Sequence, residues 1–234
     1  YVSYESCFYK MKVAIHQPQY LPWSGYFNKI LQCDIFVFLD DVQYKKNEWQ
    51  NRNKIKSFTG EIWLTVPVHY KFGQRINEVE IDNKIFWRKD HMKTIKVNYS
   101  KSKFFDVFYP YIEKFLSKEY FKLVDVNIES VKMILSYLGV ERRIVLSSEI
   151  KPEGEKTKRL VDICKKLSAE IYISGVGAKD YLEIEEFEKN KIKVVFQEYS
   201  TPEYQQLFGK FIPNLSIIDM IFNVGRDKTL ELIK

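Results

Sequence analysis

The sequence predicts an α/β protein with a Rossmann-like, largely parallel sheet and flanking helices. Two observations support this class. Short apolar runs, such as residues 12–15, alternate along the chain with segments of helical period. The runs are apolar enough to be buried strands, and strands that alternate with helices are typical of parallel sheets. From residue 87 to residue 137 the period stays helical, which predicts a helical lobe within the fold.

The individual elements follow from apolar period and end signals. A helix follows the first strand at "SGYFNKILQ", and the helical pattern of the lobe stops at Gly139, a typical helix end. The last helix, 215–225, begins after Pro213. Strands are predicted at 12–15, 34–43, 61–68, 76–82, 143–149 and 192–199, and a further helix at 156–168. The segment 170–177 is predicted to be a strand that ends in a glycine-rich turn.

Composition limits the class of protein. The 234 residues are 45% hydrophobic and 16% aromatic, enough for a sizeable core, and the net charge of +6 favours anionic partners such as nucleotides. Cys7, Cys33 and Cys164 are odd in number and widely spaced, which favours a reduced, cytoplasmic protein. No apolar run is long enough to span a bilayer, so no transmembrane segment is predicted. We expect residues 1–10 to be a tag or extension and residues 11–234 to form a single α/β domain.

Three polar and aromatic loops follow predicted strands. They are "HQPQYLPW", "DDVQYKKNEWQNRN" and "SGVGAKDY". Ligands of open parallel sheets bind beyond the carboxyl ends of the strands. We therefore predict that the loops at 16–23, 40–53 and 174–181 converge on one pocket.

Each loop also has a structural interpretation. His16 is either a satisfied core histidine or a proton carrier near neutral pH. Asp40 and Asp41 either cap the following segment, hold a divalent cation, or accept hydrogen bonds from ligand hydroxyls. The segment 49–53 offers amides and an aromatic plane suited to sugar hydroxyls, and its Arg52 suits a carboxylate or phosphate. The turn at 174–178 either cradles a phosphate or simply connects a strand to a helix.

Familiar catalytic motifs are missing from the sequence. It has no G-x-S-x-G elbow and no H-E-x-x-H pair, and His16, His69 and His91 are its only histidines. A histidine-rich metal site is therefore not predicted, and no metal ligands are assigned. His91, near a probable helix start, is a second acid or base candidate.

The motifs "IHQPQYLPWSGYFNKI", "FLDDVQYKKNEWQNRNKI", "WLTVPV", "YISGVGAKDYL" and "FIPNLSIIDMIFNVG" resemble successive motifs of the WbqC-like family. The resemblance extends from about Met11 to the C-terminus. It implies a role in O-antigen or other surface-polysaccharide biosynthesis, and a glycine transferase activity has been suggested for such proteins.

A second resemblance concerns the first helix. A strand followed by "PWSGY" is similar to the start of the HIGH-motif nucleotidylyl transferases and pantothenate-synthetase-like ligases. Trp23, Ser24, Gly25 and Tyr26 occupy the place of His-x-Gly-His, so both histidines are absent. Because those imidazoles stabilise phosphate charge in the transition state, the resemblance favours the fold more than the reaction.

These observations lead to one functional hypothesis. The protein transfers a glycyl or other small acyl group from an acyl donor to the amine of a nucleotide-linked or lipid-linked sugar, and ATP with Mg²⁺ is one route of activation. His16, Asp40 and Asp41 are the predicted catalytic residues. The predicted substrate-binding residues are Gln17, Gln19, Tyr20, Trp23, Gln43, Trp49, Gln50, Asn51, Arg52, Ser174, Gly175, Gly177 and Tyr181.

Three alternatives remain open at this point. The first is a nucleotide-dependent nucleotidylyl transferase or ligase. The second is a non-catalytic scaffold, and the third is a nucleic-acid-binding module. Nucleic acid is not the expected partner, because the basic residues form no stripe interleaved with aromatics.

The C-terminal helix carries one further prediction. Asp219 and Asn223 are four residues apart in an otherwise apolar stretch, so they share one helical face. A buried carboxylate is costly unless it is paired, and we therefore expect Asp219 to have a hydrogen-bonding partner.

Overall fold

The computed structural model describes residues 10–234, so the predicted tag or extension lies almost wholly outside the described residues. The described residues form two compact units. In chain order the elements are β1 (Lys12–His16), α1 (Ser24–Gln32), β2 (Ile35–Phe38), β3 (Arg52–Ser57), β4 (Gly60–Thr65), β5 (Val68–His69), β6 (Glu80–Ile81), α2 (Trp87–Tyr99), α3 (Phe105–Leu116), α4 (Leu123–Leu138), β7 (Arg143–Leu146), α5 (Ser147–Ile150), α6 (Lys156–Lys166), β8 (Ile171–Ser174), α7 (Ile184–Lys189), β9 (Lys193–Phe196) and α8 (Ile217–Leu232).

The sheet unit comprises residues 10–16, 29–38 and 142–198. Its five strands are all parallel in the order β7-β2-β1-β8-β9. All four residues of β2 are buried, as the continuous apolar run predicts for a central parallel strand. The C-terminal end of α1 is capped by Arg142, whose guanidinium donates to the carbonyls of Ile30 and Leu31. The α/β, Rossmann-like fold class is therefore confirmed.

The hairpin–helix unit comprises residues 17–28, 39–141 and 199–234. It contains the antiparallel pairs β3–β4 and β5–β6 and the predicted helical lobe, which consists of α2, α3 and α4. The lobe and α8 share an aromatic core, in which the rings of Tyr99 and Phe222 stack with centroids 4.8 Å apart. Among residues 10–234, no helix is long and apolar enough to cross a membrane.

Several predicted boundaries differ from the structure. The predicted strand at 61–68 is divided between β4 and β5, and within the predicted strand at 76–82 only Glu80 and Ile81 form a strand. The segment 49–53 is not entirely loop, because β3 begins at Arg52. Its polar sequence, "RNKIKS", hides the strand, which is fixed by antiparallel pairing with β4 from Arg52–Thr65 to Ser57–Gly60.

Helix α8 extends beyond the predicted end at residue 225 but is interrupted there. Gly225 has φ 78° and ψ −178°, a conformation that side chains other than glycine rarely adopt. A Cβ atom at this position would also lie 2.6 Å from the ring of Phe104. Glycine therefore allows both the break in the helix and the close approach of the Phe104 ring.

Candidate functional site

The order of the parallel strands marks one edge of the sheet unit. From β1 the chain proceeds through β2 to β7, and from β8 it proceeds in the opposite direction to β9. The strand order therefore reverses between β1 and β8, which are neighbours. In open parallel sheets, ligands bind beyond the carboxyl ends of the strands at such a reversal. The residues at this position are His16, at the end of β1, and Ser174, at the end of β8.

His16 is paired with a lysine that the sequence analysis did not select. The Nζ atom of Lys29, on α1, lies 3.2 Å from Nδ1 of His16. Burial lowers the pKa of Lys29 from 10.5 to about 8. Burial, and secondarily the charge of Lys29, holds the pKa of His16 well below 6.5. At neutral pH the imidazole is therefore uncharged, and Nδ1 accepts a hydrogen bond from the Lys29 ammonium, because an ammonium only donates.

The turn after β8 approaches the same lysine. A Cβ atom added to Gly175 would lie 3.2 Å from Nζ of Lys29. Ser174 is buried, whereas Gly177 has open space around its Cα and Tyr181 is exposed. Of the residues predicted in this loop, the structure thus brings Gly175 next to Lys29.

The predicted amides Gln17 and Gln50 meet in the hairpin–helix unit. Nε2 of Gln50 donates to Oε1 of Gln17 at 2.7 Å, and Oε1 of Gln50 accepts from the backbone N–H of Lys45 at 2.9 Å. Asn127, on α4, donates to the carbonyls of Gln50 and Pro18. Asn127, which no pattern in the sequence indicated, thus joins two loops that are distant in the sequence.

A pocket of about 290 Å³ opens beside this amide cluster. It is lined by Gln19, Trp23, Trp49 and Asn214, and three of these four were predicted from the sequence. Indole planes together with side-chain amides are a lining that suits a ligand with both apolar faces and hydroxyl groups.

The tryptophans of the pocket are held by their neighbours. The ring of Trp23 lies 5.8 Å from that of Tyr199, and the ring of Trp49 lies 5.5 Å from that of Trp63. A Cβ atom at Gly25 would lie 2.2 Å from the Trp23 indole, so this indole folds back over a position where only glycine fits.

Other predicted binding residues of this unit make structural contacts. Arg52 lies with its guanidinium carbon 4.1 Å from the centre of the Trp63 ring and donates to the carbonyl of Asn47. The amide of Asn51 donates to the carbonyl of Val66. Gln43 is exposed and forms an isolated antiparallel bridge with Arg75.

Asp40 is buried and hydrogen-bonded to Asn77. Its Oδ2 accepts from Nδ2 of Asn77 at 3.1 Å, and its backbone carbonyl accepts from the Asn77 N–H at 3.0 Å. Asp41 is half-buried. Within residues 10–234, no three histidine, cysteine, aspartate or glutamate side chains form a group that could hold a metal ion.

Tyr20 and His91 form a buried pair. The Tyr20 hydroxyl lies 2.9 Å from Nδ1 of His91, and Nε2 of His91 lies 3.1 Å from the carbonyl of Thr65. Because a carbonyl only accepts, Nε2 carries the ring proton and Nδ1 accepts from Tyr20. Burial lowers the pKa of His91 to about 4, so the ring stays neutral. These contacts give both residues a structural role.

Asp219 has the partners that its position in the sequence predicts. Its carboxylate accepts hydrogen bonds from the hydroxyls of Tyr99 at 2.8 Å and Tyr204 at 2.9 Å, and from the amide of Asn223 at 3.3 Å. Burial raises the pKa of Asp219 despite these bonds. The predicted burial and pairing are thus confirmed.

The order of the five parallel strands defines an α/β protein of Rossmann-like class. The chain belongs to the WbqC-like protein family, whose model matches residues 17–231, which confirms the resemblance. An uncharacterized protein of Mycobacterium tuberculosis, Rv1507c, is 38% identical over 220 residues, covering 92% of this chain and 95% of that protein. No solved structure matches the chain.

Proposed function

We propose that the protein transfers a glycyl or other small acyl group to the amine of an activated amino sugar in O-antigen or other surface-polysaccharide biosynthesis. The observation that carries this proposal is the pocket lined by Trp23, Trp49, Gln19 and Asn214. Aromatic planes stack on the apolar faces of sugar rings, and amides exchange hydrogen bonds with hydroxyl groups. Membership of the WbqC-like family supports the same substrate class.

The reaction places definite demands on the protein. The amine nitrogen attacks the activated carboxyl carbon, the leaving group departs with its electron pair, and the amine loses a proton. The enzyme must accept that proton and stabilise the oxyanion that develops on the carbonyl oxygen. His16, which is uncharged at neutral pH, is the candidate for accepting the proton through Nδ1, the nitrogen that otherwise accepts the hydrogen bond from Lys29. Asp40 and Asp41 are the candidates for orienting the amine.

Mass spectrometry of the product tests this function. The protein is incubated with UDP-linked amino sugars, glycine and ATP with Mg²⁺, and separately with preactivated glycyl donors. We expect a sugar product heavier by one glycyl group. We expect Trp49→Ala to raise KM for the sugar about fivefold or more, because stacking on one aromatic ring contributes roughly 1–3 kcal/mol. Phe72→Ala is the control, since Phe72 is fully exposed and outside the pocket.

An unchanged KM in Trp49→Ala would contradict the assignment of the pocket. Absence of any glycylated sugar across donors and amino sugars would contradict the reaction. A folded Trp49→Ala protein is recognised by an unchanged circular dichroism spectrum.

A nucleotidylyl transferase or ligase is the second candidate. The strand order of the sheet unit favours it, because the reversal between β1 and β8 is where mononucleotides bind in related architectures. Release of AMP and pyrophosphate from ATP in the presence of glycine would indicate adenylate formation. Release of neither, together with transfer from a preactivated donor, would exclude this second candidate.

A further inference from the structure

Within residues 10–234, Lys29 is a buried cation with no opposing charge in ion-pair distance. Its side chain is only 4% exposed. Among the described residues its hydrogen-bonding partner is Nδ1 of His16, and no carboxylate lies within ion-pair distance of its Nζ. Burying an ammonium without a counter-charge is costly, so proteins rarely retain one unless it has a function.

The position of this ammonium indicates what that function is. Nζ lies near the carboxyl end of β1. The neighbour of β1 in the sheet is β8, and the chain order reverses between these two strands. Gly175, just after β8, lets the backbone come close to the ammonium, since a Cβ added there would lie 3.2 Å from Nζ. His16 accepts one N–H of the ammonium, which leaves the other two for a ligand.

We propose that Lys29, held by His16, binds an anionic group of the ligand, a phosphate or a carboxylate, at the edge of the sheet between β1 and β8. The bound anion supplies the charge that the described residues lack. His16 acts as a positioning residue in this site, because a neutral imidazole orients the ammonium without competing for the anion. This inference goes beyond the proposed acyl transfer and does not depend on it.

The proposal has a defined pH dependence. Among the described residues, the titratable groups that face Lys29 are His16, at the end of β1, and Cys33, just after the end of α1. The pKa of His16 lies well below 6.5, and burial raises the pKa of Cys33 to about 12. Neither group changes charge between pH 7 and 9.5, whereas Lys29 loses its proton there. Binding must therefore weaken as the pH rises.

The test is equilibrium dialysis of labelled sulfate and labelled acetate at constant ionic strength. Sulfate represents a phosphate group and acetate a carboxylate, and neither ion changes charge between pH 7 and 9.5. We expect saturable binding at pH 7, and an affinity about thirtyfold lower at pH 9.5, because an amine with a pKa near 8 is then about thirtyfold less protonated. Preference for sulfate or for acetate identifies the anionic group.

Variants locate the site. Lys29→Met should bind each ion at least tenfold more weakly, whereas Lys193→Met, at an exposed lysine of β9, should bind as the wild type does. Equal binding by Lys29→Met, no saturable binding by the wild type, or affinity that rises with pH would overturn the proposal. If Lys29→Met does not fold, the pH dependence of anion binding by the wild type alone tests the proposal.

The two proposals fail separately. Glycyl transfer without anion binding would overturn the anion site alone. Anion binding without glycyl transfer would overturn the proposed reaction alone.

Discussion

Replacement of Lys29 by methionine should stabilise the protein at neutral pH. Methionine keeps the unbranched shape and removes the buried charge. In the unfolded chain the lysine has its ordinary pKa of 10.5, and in the folded protein the pKa is about 8. The folded protein therefore binds this proton less tightly than the unfolded chain does. At pH 7 this difference lowers the free energy of unfolding by about 3 kcal/mol.

The sign of the effect follows from the direction of the shift. Because the folded pKa is depressed, the cost is fully present below pH 8 and disappears as the pH rises towards 10.5. Urea denaturation of the wild type and Lys29→Met should therefore differ by up to about 3 kcal/mol at pH 7 and by little at pH 10.5. Lys193→Met, at an exposed position, should differ from the wild type by less than about 0.5 kcal/mol at both values.

A destabilised Lys29→Met protein at pH 7 would refute this reasoning, because it would mean that the ammonium already has a favourable partner. A difference of the same size at pH 7 and pH 10.5 would also refute it, because packing rather than charge would then be responsible.

Three further predictions concern the hairpin–helix unit. Gly225→Ala should lower the free energy of unfolding in urea by more than about 1 kcal/mol, because alanine rarely adopts a φ of 78° and its Cβ would collide with the ring of Phe104. Gly177→Ala should change it little, because a Cβ there would meet no atom within 4 Å. Between pH 6.5 and 4 only the unfolded chain protonates the His91 imidazole, so acid lowers the free energy of unfolding by about 3 kcal/mol in that range. His91→Gln should remove this part of the acid destabilisation. Asp219→Ala should destabilise by about 3 kcal/mol by leaving buried hydroxyl donors unpaired, and Asp219→Asn by less; equal values would contradict the hydrogen-bonding account.

The parallel strands and the helices were predictable where local pattern determines structure. The apolar run before His16 and the amphipathic "SGYFNKILQ" correspond to β1 and α1. Strand β3 was not predictable, because its polar run is held by pairing with β4 and by tertiary contacts. Lys56, for example, is buried and donates to Gln206 and to the carbonyl of Lys210. Such long-range contacts leave no periodic signal.

The composition of the loops marks them as unusual in the sequence, but the sequence did not reveal Lys29. A signal was present, since Lys29 is three residues after Tyr26 and four before Cys33, on the apolar face of α1. Lysines on such faces usually extend their charged end to water, so the pattern alone does not predict a buried ammonium. Which strands become neighbours, and hence where the chain order reverses, is decided by tertiary packing.

The Lys29 ammonium has opposite effects on stability and on anion binding. The lysine lowers the stability of the free protein, and a bound anion would restore it by favouring the protonated, folded form. Gly175→Ala should weaken anion binding without unfolding the protein, because the added methyl group would lie 3.2 Å from the ammonium.

The most direct measurement is an NMR titration of Lys29 in protein labelled with ¹³C at the lysine Cε, with the signal assigned by its loss in Lys29→Met. We predict a pKa near 8 in the free protein and a higher pKa when sulfate or acetate is bound. A pKa near 10.5 in the free protein, or a pKa that neither anion raises, would contradict the assignment of this edge of the sheet as an anion-binding site.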